Sequence, residues 1–189
     1  LLQKAARDSY RLDKVLYEPL NVSIASSFNV IKALDDEVKA VDKAIEKTIK
    51  GINTTEYQSL ISIPGIGPVL AGGILSEIGT ITSFKSHDSL AKYAGLTWRV
   101  NESGDFKSDE TRMTKTGNKY LRYYLIEAAN CVKKQAPEYK EYYLKKYSEV
   151  TKYSHKRALA LTSRKLVRLI FGLLTKNQIY SNDKVGEIQ

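Results

Sequence analysis

A glycine-containing turn near residue 65 has the residue types needed to hold a phosphate group. It reads Ile63-Pro64-Gly65-Ile66-Gly67-Pro68. Glycine permits backbone angles that other residues avoid and leaves no side chain between the amide N–H groups and a phosphate. The amides, together with the N-terminus of a helix beginning near Pro68, could bind phosphate oxygens. We therefore predict a helix-hairpin-helix motif whose nucleic-acid contacts are Gly65, Ile66 and Gly67; the alternative is a tight hairpin without a ligand.

The two glycines of this turn are predicted to serve binding more than folding. Replacing Gly65 and Gly67 with bulkier residues is expected to weaken binding and to leave the fold largely unchanged. We expect Ile63 and Ile66 to pack the two helices together. We expect Ala71 and Gly72 to let the same helices come close.

A second candidate site lies in residues 97–117, a polar segment predicted to form an exposed loop or a short hairpin. The cations that could offset a phosphate charge there are Lys107, Arg112, Lys115 and Lys119. Because Lys115, Lys119 and Arg122 are spaced by four and three residues, we expect all three on one helix face. Judged by itself, Ser103 before Gly104 is best explained as a turn residue.

Composition and charge narrow the class of protein. The 189 residues include 30 Lys and Arg against 21 Asp and Glu, a net charge of +9. Residues 99–168 alone hold 17 basic and 8 acidic side chains, again +9. A surplus confined to one stretch favours a surface that faces nucleic acid over an ordinary solvated surface.

Metal and membrane classes are disfavoured by the same composition. The single cysteine, Cys131, rules out a disulfide framework and a thiolate metal cluster, and two histidines are too few for a histidine-based metal site. No metal site is predicted in this chain. No apolar run approaches the roughly 20 residues that a membrane-spanning helix needs.

Hydrophobic periodicity predicts an all-α fold. Residues 22–52 carry one apolar stripe at spacings of three and four, typical of a coiled-coil-like arm or of an ordinary amphipathic helix. A short helix within residues 1–17 is expected to end near Glu18-Pro19. The other predicted helices are residues 56–79 with the turn inside, a short one from Leu90, 118–136, 137 to about 152, and 155–176. The predicted domains are an arm over 1–55, a helical domain over 56–178 and a flexible tail over 179–189.

Tyrosines and lysines alternate along residues 120–153. They could stack against single-stranded nucleic acid, or the tyrosines could pack the core with their hydroxyls at its rim; the second interpretation is favoured. Arg164, Lys165 and Arg168 form a further basic cluster.

The order of short motifs resembles the C-terminal half of one transposase family. The motifs are Ile63-Pro64-Gly65-Ile66-Gly67, Phe84-Lys85-Ser86, Leu90-Ala91-Lys92-Tyr93-Ala94-Gly95-Leu96-Thr97, Ser103-Gly104, Thr114-Lys115-Thr116-Gly117-Asn118 and Leu121-Arg122. The family is that of the DEDD insertion-sequence transposases, related to Piv-type invertases and known as bridge-RNA-guided recombinases. The resemblance covers roughly residues 56–175, and the arm sits where the family has its coiled coil.

The resemblance implies a catalytic role for one serine. In the family, an N-terminal RuvC-like domain with four acidic residues that bind Mg²⁺ precedes the coiled coil and the Tnp domain. A serine in the Ser-Gly motif attacks a DNA phosphodiester and forms a phosphoserine link; the matching position is Ser103, with Ser108 as a nearby rival. Trp98 departs from the family pattern, because many relatives have Pro at that position.

The expected function is therefore a C-terminal fragment of a DNA transposase that is inactive without the RuvC-like domain. Its expected partners are DNA, a guide RNA and further copies of the chain through the arm, in the bacterial cytoplasm at the nucleoid. The alternative is a non-catalytic helix-hairpin-helix module that binds nucleic acid. Because the chain starts at Leu1 without Met, we expect it to be part of a longer protein.

Overall fold

The computed structural model describes residues 2–9, 13–52, 54–98, 102–103, 106–107 and 113–181. The protein is all-α, as predicted. The elements in chain order are α1 (Leu2–Asp8), a 3-10 turn (Lys14–Leu16), α2 (Tyr17–Ile52), α3 (Thr54–Ile61), α4 (Pro68–Ile78), a 3-10 turn (Ile81–Ser83), α5 (His87–Tyr93), β1 (Glu102–Ser103), β2 (Phe106–Lys107), α6 (Lys119–Gln135), α7 (Pro137–Ser148) and α8 (Ser154–Lys176). Contacts divide the chain into two compact units, Leu1–Ala44 and Ile45–Gln189.

The first unit contains α1 and most of α2. The apolar stripe of α2 is uncovered within it, since Leu34 is 61% exposed and Val38 is 58% exposed. Ion pairs such as Lys39 with Asp35, 2.5 Å apart, occupy the polar side of the helix. The predicted helix end near Glu18-Pro19 is wrong: Pro19 lies in the first turn of α2, where its missing N–H would have no acceptor.

The second unit has one hydrophobic core around α6. Helix α6 packs against α4, α7 and α8, and α8 also packs against α3 and α5. The core is built from large side chains that are almost fully buried: Tyr57, Leu60, Ile63, Ile74, Leu90, Leu121, Leu125, Leu166 and Ile170. Each such aliphatic side chain contributes about 1.5–3 kcal/mol through burial. This core supports α4 and α6, which carry or adjoin several of the candidate site residues.

The last turns of α2 pack on α4 and belong to the second unit. A Cβ added at Gly72 would lie 2.5 Å from Ile49 Cδ1 and 3.4 Å from Ile45 Cγ2. The missing side chain at Gly72 therefore lets α2 approach α4. The prediction that Gly72 lets α3 come close to α4 is wrong. The contact division after Ala44 precedes the predicted domain boundary at 55/56, which stays a prediction.

The boundaries of the last helices follow local signals. Asn118 caps α6 by accepting hydrogen bonds from the amides of Tyr120 and Leu121, and Pro137 is the first residue of α7. Helix α7 ends at Ser148, before the predicted Lys152. Within the predicted flexible tail, Tyr180 packs against the core and its amide donates to Ser62 Oγ at 2.7 Å. Residues 182–189 of that tail lie outside the described residues.

Candidate functional site

Ser103 lies in a short antiparallel hairpin. Strand β1 pairs with β2 so that Ser103 faces Phe106 and Glu102 faces Lys107. The predicted short hairpin is thus confirmed at the backbone level. Arg112 and the rival Ser108 lie outside the described residues, and for Ser103 and Lys107 only the backbone is described.

The chain segments on either side of the hairpin meet and form its stem. Trp98 and Met113 form an antiparallel bridge. The Thr114 amide donates to the Thr97 carbonyl at 2.8 Å, and the two threonine hydroxyls lie 3.0 Å apart. The stem therefore joins residue 97 to residue 114 by both backbone and side-chain hydrogen bonds.

Two glycines permit the close approach of the turns below this stem. Gly95 has φ +68° and Gly117 has φ +113°, a region that side chains disfavour. A Cβ at Gly117 would lie 2.2 Å from the Tyr93 carbonyl oxygen, and one at Gly95 would lie 2.4 Å from that of Thr116. The turn after α5 and the turn before α6 are thus interlocked through backbone contact.

Asn118 connects the interlocked turns to α4. Its amide N–H donates to the Tyr93 carbonyl at 2.7 Å, while its side-chain Nδ2 donates to Glu77 Oε2 at 2.7 Å and lies 3.2 Å from the Tyr93 hydroxyl. Asn118 belongs to a sequence motif named above but was not predicted to have a role. An Asn directly before a helix is nevertheless a signal for a helix cap. Glu77 was missed, because nothing local marks a partner 41 residues away.

The predicted cations of the hairpin do not share one helix face. Helix α6 begins at Lys119, whereas Lys115 lies before it with φ +53°, so the helical spacing argument fails for Lys115. Lys115 and Lys119 are both exposed, and Lys119 Nζ lies 4.9 Å from the Tyr120 ring centroid. Arg122 is half-buried, and its Nη1 donates to the carbonyls of Ala94 at 3.1 Å and Lys115 at 3.0 Å. Arg122 thereby ties α6 to both turns, and its contact with nucleic acid stays a prediction.

The glycine turn joins α3 to α4 as predicted, and Ile63 and Ile66 are buried. The Ile66 amide donates to the Ile63 carbonyl at 3.0 Å and is therefore occupied within the turn. In the described structure the amides of Gly65 and Gly67 donate to no backbone carbonyl. Together with the first amides of α4, which a helix leaves without intrahelical acceptors, they are the donors available to an anion.

The two glycines of the turn have different roles. Gly65 has φ +98°, and a Cβ there would lie 2.8 Å from the Cys131 carbonyl carbon in α6. Gly67 has an ordinary φ of −90°, and a Cβ there would meet nothing within 4 Å. The expectation that both can be replaced without disturbing the fold is therefore wrong for Gly65, because its substitution would push α6 away.

The second basic cluster is largely used within the protein. Arg164 forms an ion pair with Asp88 of α5, and Lys165 forms one with Glu138 of α7. Burial pushes the pKa of Asp88 upward, but the hydrogen bond from Arg164 and the nearby His87 and Arg168 charges outweigh it and lower that pKa overall. These charges connect helices and are poor candidates for a ligand.

The described residues offer neither a metal cluster nor a membrane-spanning helix. No group of three or more His, Cys, Asp or Glu side chains among them could hold a metal ion. None of the helices in this part of the chain is both long and apolar enough to cross a bilayer.

Comparison with known proteins shows that these features resemble those of one family. Residues 57–144, which include the glycine turn, the serine hairpin and α6, match the model of the transposase IS116/IS110/IS902 family. The chain is thus similar to this family over 88 of its 189 residues.

Named relatives cover most of the chain at low identity. The transposase for insertion sequence element IS1111A of Coxiella burnetii is 29% identical, over 95% of this chain and 53% of that protein. The insertion element IS116 uncharacterized 44.8 kDa protein of Streptomyces clavuligerus is 28% identical, over 79% of this chain and 36% of that protein. The pilin gene-inverting protein of Moraxella lacunata is 26% identical, over 88% of this chain and 52% of that protein. The chain thus spans between about a third and about half of these relatives' length.

Proposed function

We propose that this chain is the C-terminal part of a DNA transposase or recombinase that presents Ser103 as the nucleophile for strand cleavage. The observation that carries the proposal is the stem of the serine hairpin. Two motifs separated in sequence, Tyr93 to Thr97 and Thr114 to Arg122, meet at its base and are held by at least four hydrogen bonds. The stem holds together the two ends of the segment that carries Ser103, and positioning of this kind supports a nucleophile.

The proposed reaction is a transesterification at phosphorus. The Ser103 Oγ forms a bond to the phosphorus of a DNA phosphodiester as the leaving sugar oxygen departs, and the serine proton passes to a base. A serine hydroxyl needs that base and needs the phosphoryl charge to be offset. The exposed Lys115 and Lys119 at the foot of the stem supply positive charge. The Mg²⁺ and the acidic residues are expected from the RuvC-like domain of the family.

The other predicted contacts support the binding of nucleic acid. The open amides at Gly65, Gly67 and the start of α4 would hold a phosphate, a contact that reads backbone and not sequence. We also propose that the protein binds a guide RNA and that copies of the chain associate through the apolar stripe of α2. The second candidate, a module that binds nucleic acid without catalysis, is favoured by the same open amides and requires no reactive serine.

The test is to trap the reaction of the full-length transposase and to look for a protein–DNA adduct. We expect an adduct at Ser103 and expect Ser103→Ala to abolish strand transfer while DNA and RNA binding stays intact. Ser108→Ala is the matched control and should still form the adduct. Recombination retained by Ser103→Ala would exclude this nucleophile and leave the binding module as the function.

A further inference from the structure

An open groove of about 320 Å³ lies between the C-terminal part of α6 and helix α7. It is lined by Lys133, Lys134, Lys140, Tyr143 and Leu144. The lining therefore holds three cations, one aromatic ring and one aliphatic side chain, and it contains no carboxylate. Such a lining suits an anion.

The three lysines of this groove form no ion pair with a carboxylate among the described residues. By contrast, Lys146 pairs with Glu149 at 2.6 Å, and Lys165 pairs with Glu138. Burial and then the neighbouring Lys134 charge lower the pKa of Lys133. Mutual repulsion of this kind would be relieved by a bound anion.

Lys133 is held in place within the groove. Its Nζ lies 3.9 Å from the centroid of the Tyr143 ring, and the Tyr143 hydroxyl is hydrogen-bonded to His155 Nδ1 at 2.7 Å. The hydrogen bond to His155 of α8 thus holds the Tyr143 ring, and the ring in turn holds the Lys133 ammonium. A charge that is already positioned loses less conformational entropy when it binds a ligand.

The groove lies beside the glycine turn and at the opposite end of α6 from Lys119. Gly65 packs on the α6 backbone at Cys131 and Val132, directly before Lys133. Lys119, at the hairpin end of α6, is 14 residues from Lys133, which corresponds to about 21 Å along a helix. That length spans about six nucleotides of one strand, so one phosphate cannot contact both Lys119 and the groove.

We propose that this groove binds the phosphodiester backbone of a nucleic-acid strand, as a contact separate from the serine hairpin. The choice of nucleic acid as the ligand of this groove rests on the proposed function. Lysines act as point charges on phosphate, and the lining has no Asn or Gln to read adenine and no Asp or Glu to read cytosine. One face of Tyr143 is covered by Lys133, so we expect backbone contact without stacking of a base on that face.

The test compares two charge-matched double variants of this chain. Lys134→Gln with Lys140→Gln changes the groove, and Lys47→Gln with Lys176→Gln removes two charges elsewhere; all four side chains are exposed. Binding to labelled single-stranded DNA, RNA and duplex DNA is measured by fluorescence anisotropy between about 50 and 200 mM salt. We expect the groove variant to lower the slope of log affinity against log salt by about 1 per lysine.

The control variant should keep a slope close to that of the unmodified chain. The oligonucleotide that shows the difference identifies the strand in the groove. Equal slopes for the two variants on all three oligonucleotides, or no binding by the unmodified chain, would overturn the proposal. Failure of the Ser103 adduct leaves this measurement unaffected, so the two proposals are tested independently.

Discussion

Gly117 lies two residues before α6 and Gly67 directly before α4, and the structure constrains the two positions differently. Gly117 combines a positive φ with backbone contact to Tyr93 across the interlocked turns. Gly67 has an ordinary φ and open space where a side chain would lie. Of the two, only Gly117 is required for the fold. Gly67 can be replaced to test whether the turn binds a ligand.

We predict that Gly117→Ala lowers the free energy of unfolding by about 2–4 kcal/mol, because the methyl group collides with a carbonyl and the backbone is strained. Urea denaturation of both variants measures this difference. Gly67→Ala is the control and should cost at most about 1 kcal/mol, the usual effect at a helix N-terminus. A loss of nucleic-acid affinity in this stable control would report on the turn itself. Equal destabilisation by the two substitutions would contradict the assignment.

Glu149 shows how the elements of the second unit are joined by charge. It follows α7 and accepts hydrogen bonds from Lys146 at 2.6 Å and from Arg157 of α8 at 3.0 Å. These two bonds lower the pKa of Glu149 in the folded protein. A carboxyl whose folded-state pKa is lowered stabilises the fold above its unfolded-state pKa, and this stabilisation is lost as pH falls through the folded-state pKa.

We therefore predict that Glu149→Gln is less stable than the unmodified chain at pH 7 and that the difference is smaller at about pH 3, below the usual glutamate range. Urea midpoints at the two pH values measure it. The effect should be small, because the carboxyl is exposed to solvent. Glu141→Gln removes the same charge from α7 and serves as the control. A difference for Glu149→Gln that persists unchanged in acid would refute the ion-pair explanation.

The molecule as a whole consists of one unit with a buried core and another whose apolar stripe is uncovered. An apolar helix face of this length is stabilised when another helix covers it. In the second unit, Ile45 and Ile49 at the end of the same stripe are used for packing on α4. The stretch that remains open for self-association is therefore the part before Ile45.

We predict that Leu34→Asp with Val38→Asp reduces the mass of the particle in solution to that of one chain, because each charge would be buried in the paired stripe. Sedimentation velocity over a range of concentrations measures this mass. Ala40→Asp places the same charge on the same helix outside the stripe and should leave the assembly intact. An unmodified chain that is monomeric at every concentration would remove the arm from the proposal.

Local pattern alone was enough for most of the helices and for the boundaries at Pro137 and the α3–α4 turn, but it failed at Glu18-Pro19. Apolar spacing marked α2, α6 and α8, Pro137 marked the start of α7, and the two glycines marked the α3–α4 turn. These features depend on neighbours within a few residues, which the sequence displays directly.

Tertiary structure alone decided which of the marked residues are free to bind a ligand. Arg122 is committed to two carbonyls, Gly65 to the α6 backbone and Arg164 to Asp88, while Lys133, Lys134 and Lys140 face an open groove. The partners of Arg122, Gly65 and Arg164 lie tens of residues away in sequence. The one exception is Lys115, which is seven residues from Arg122. Such pairings form only when the helices pack, because burial of the shared core, and not any local preference, brings those residues together.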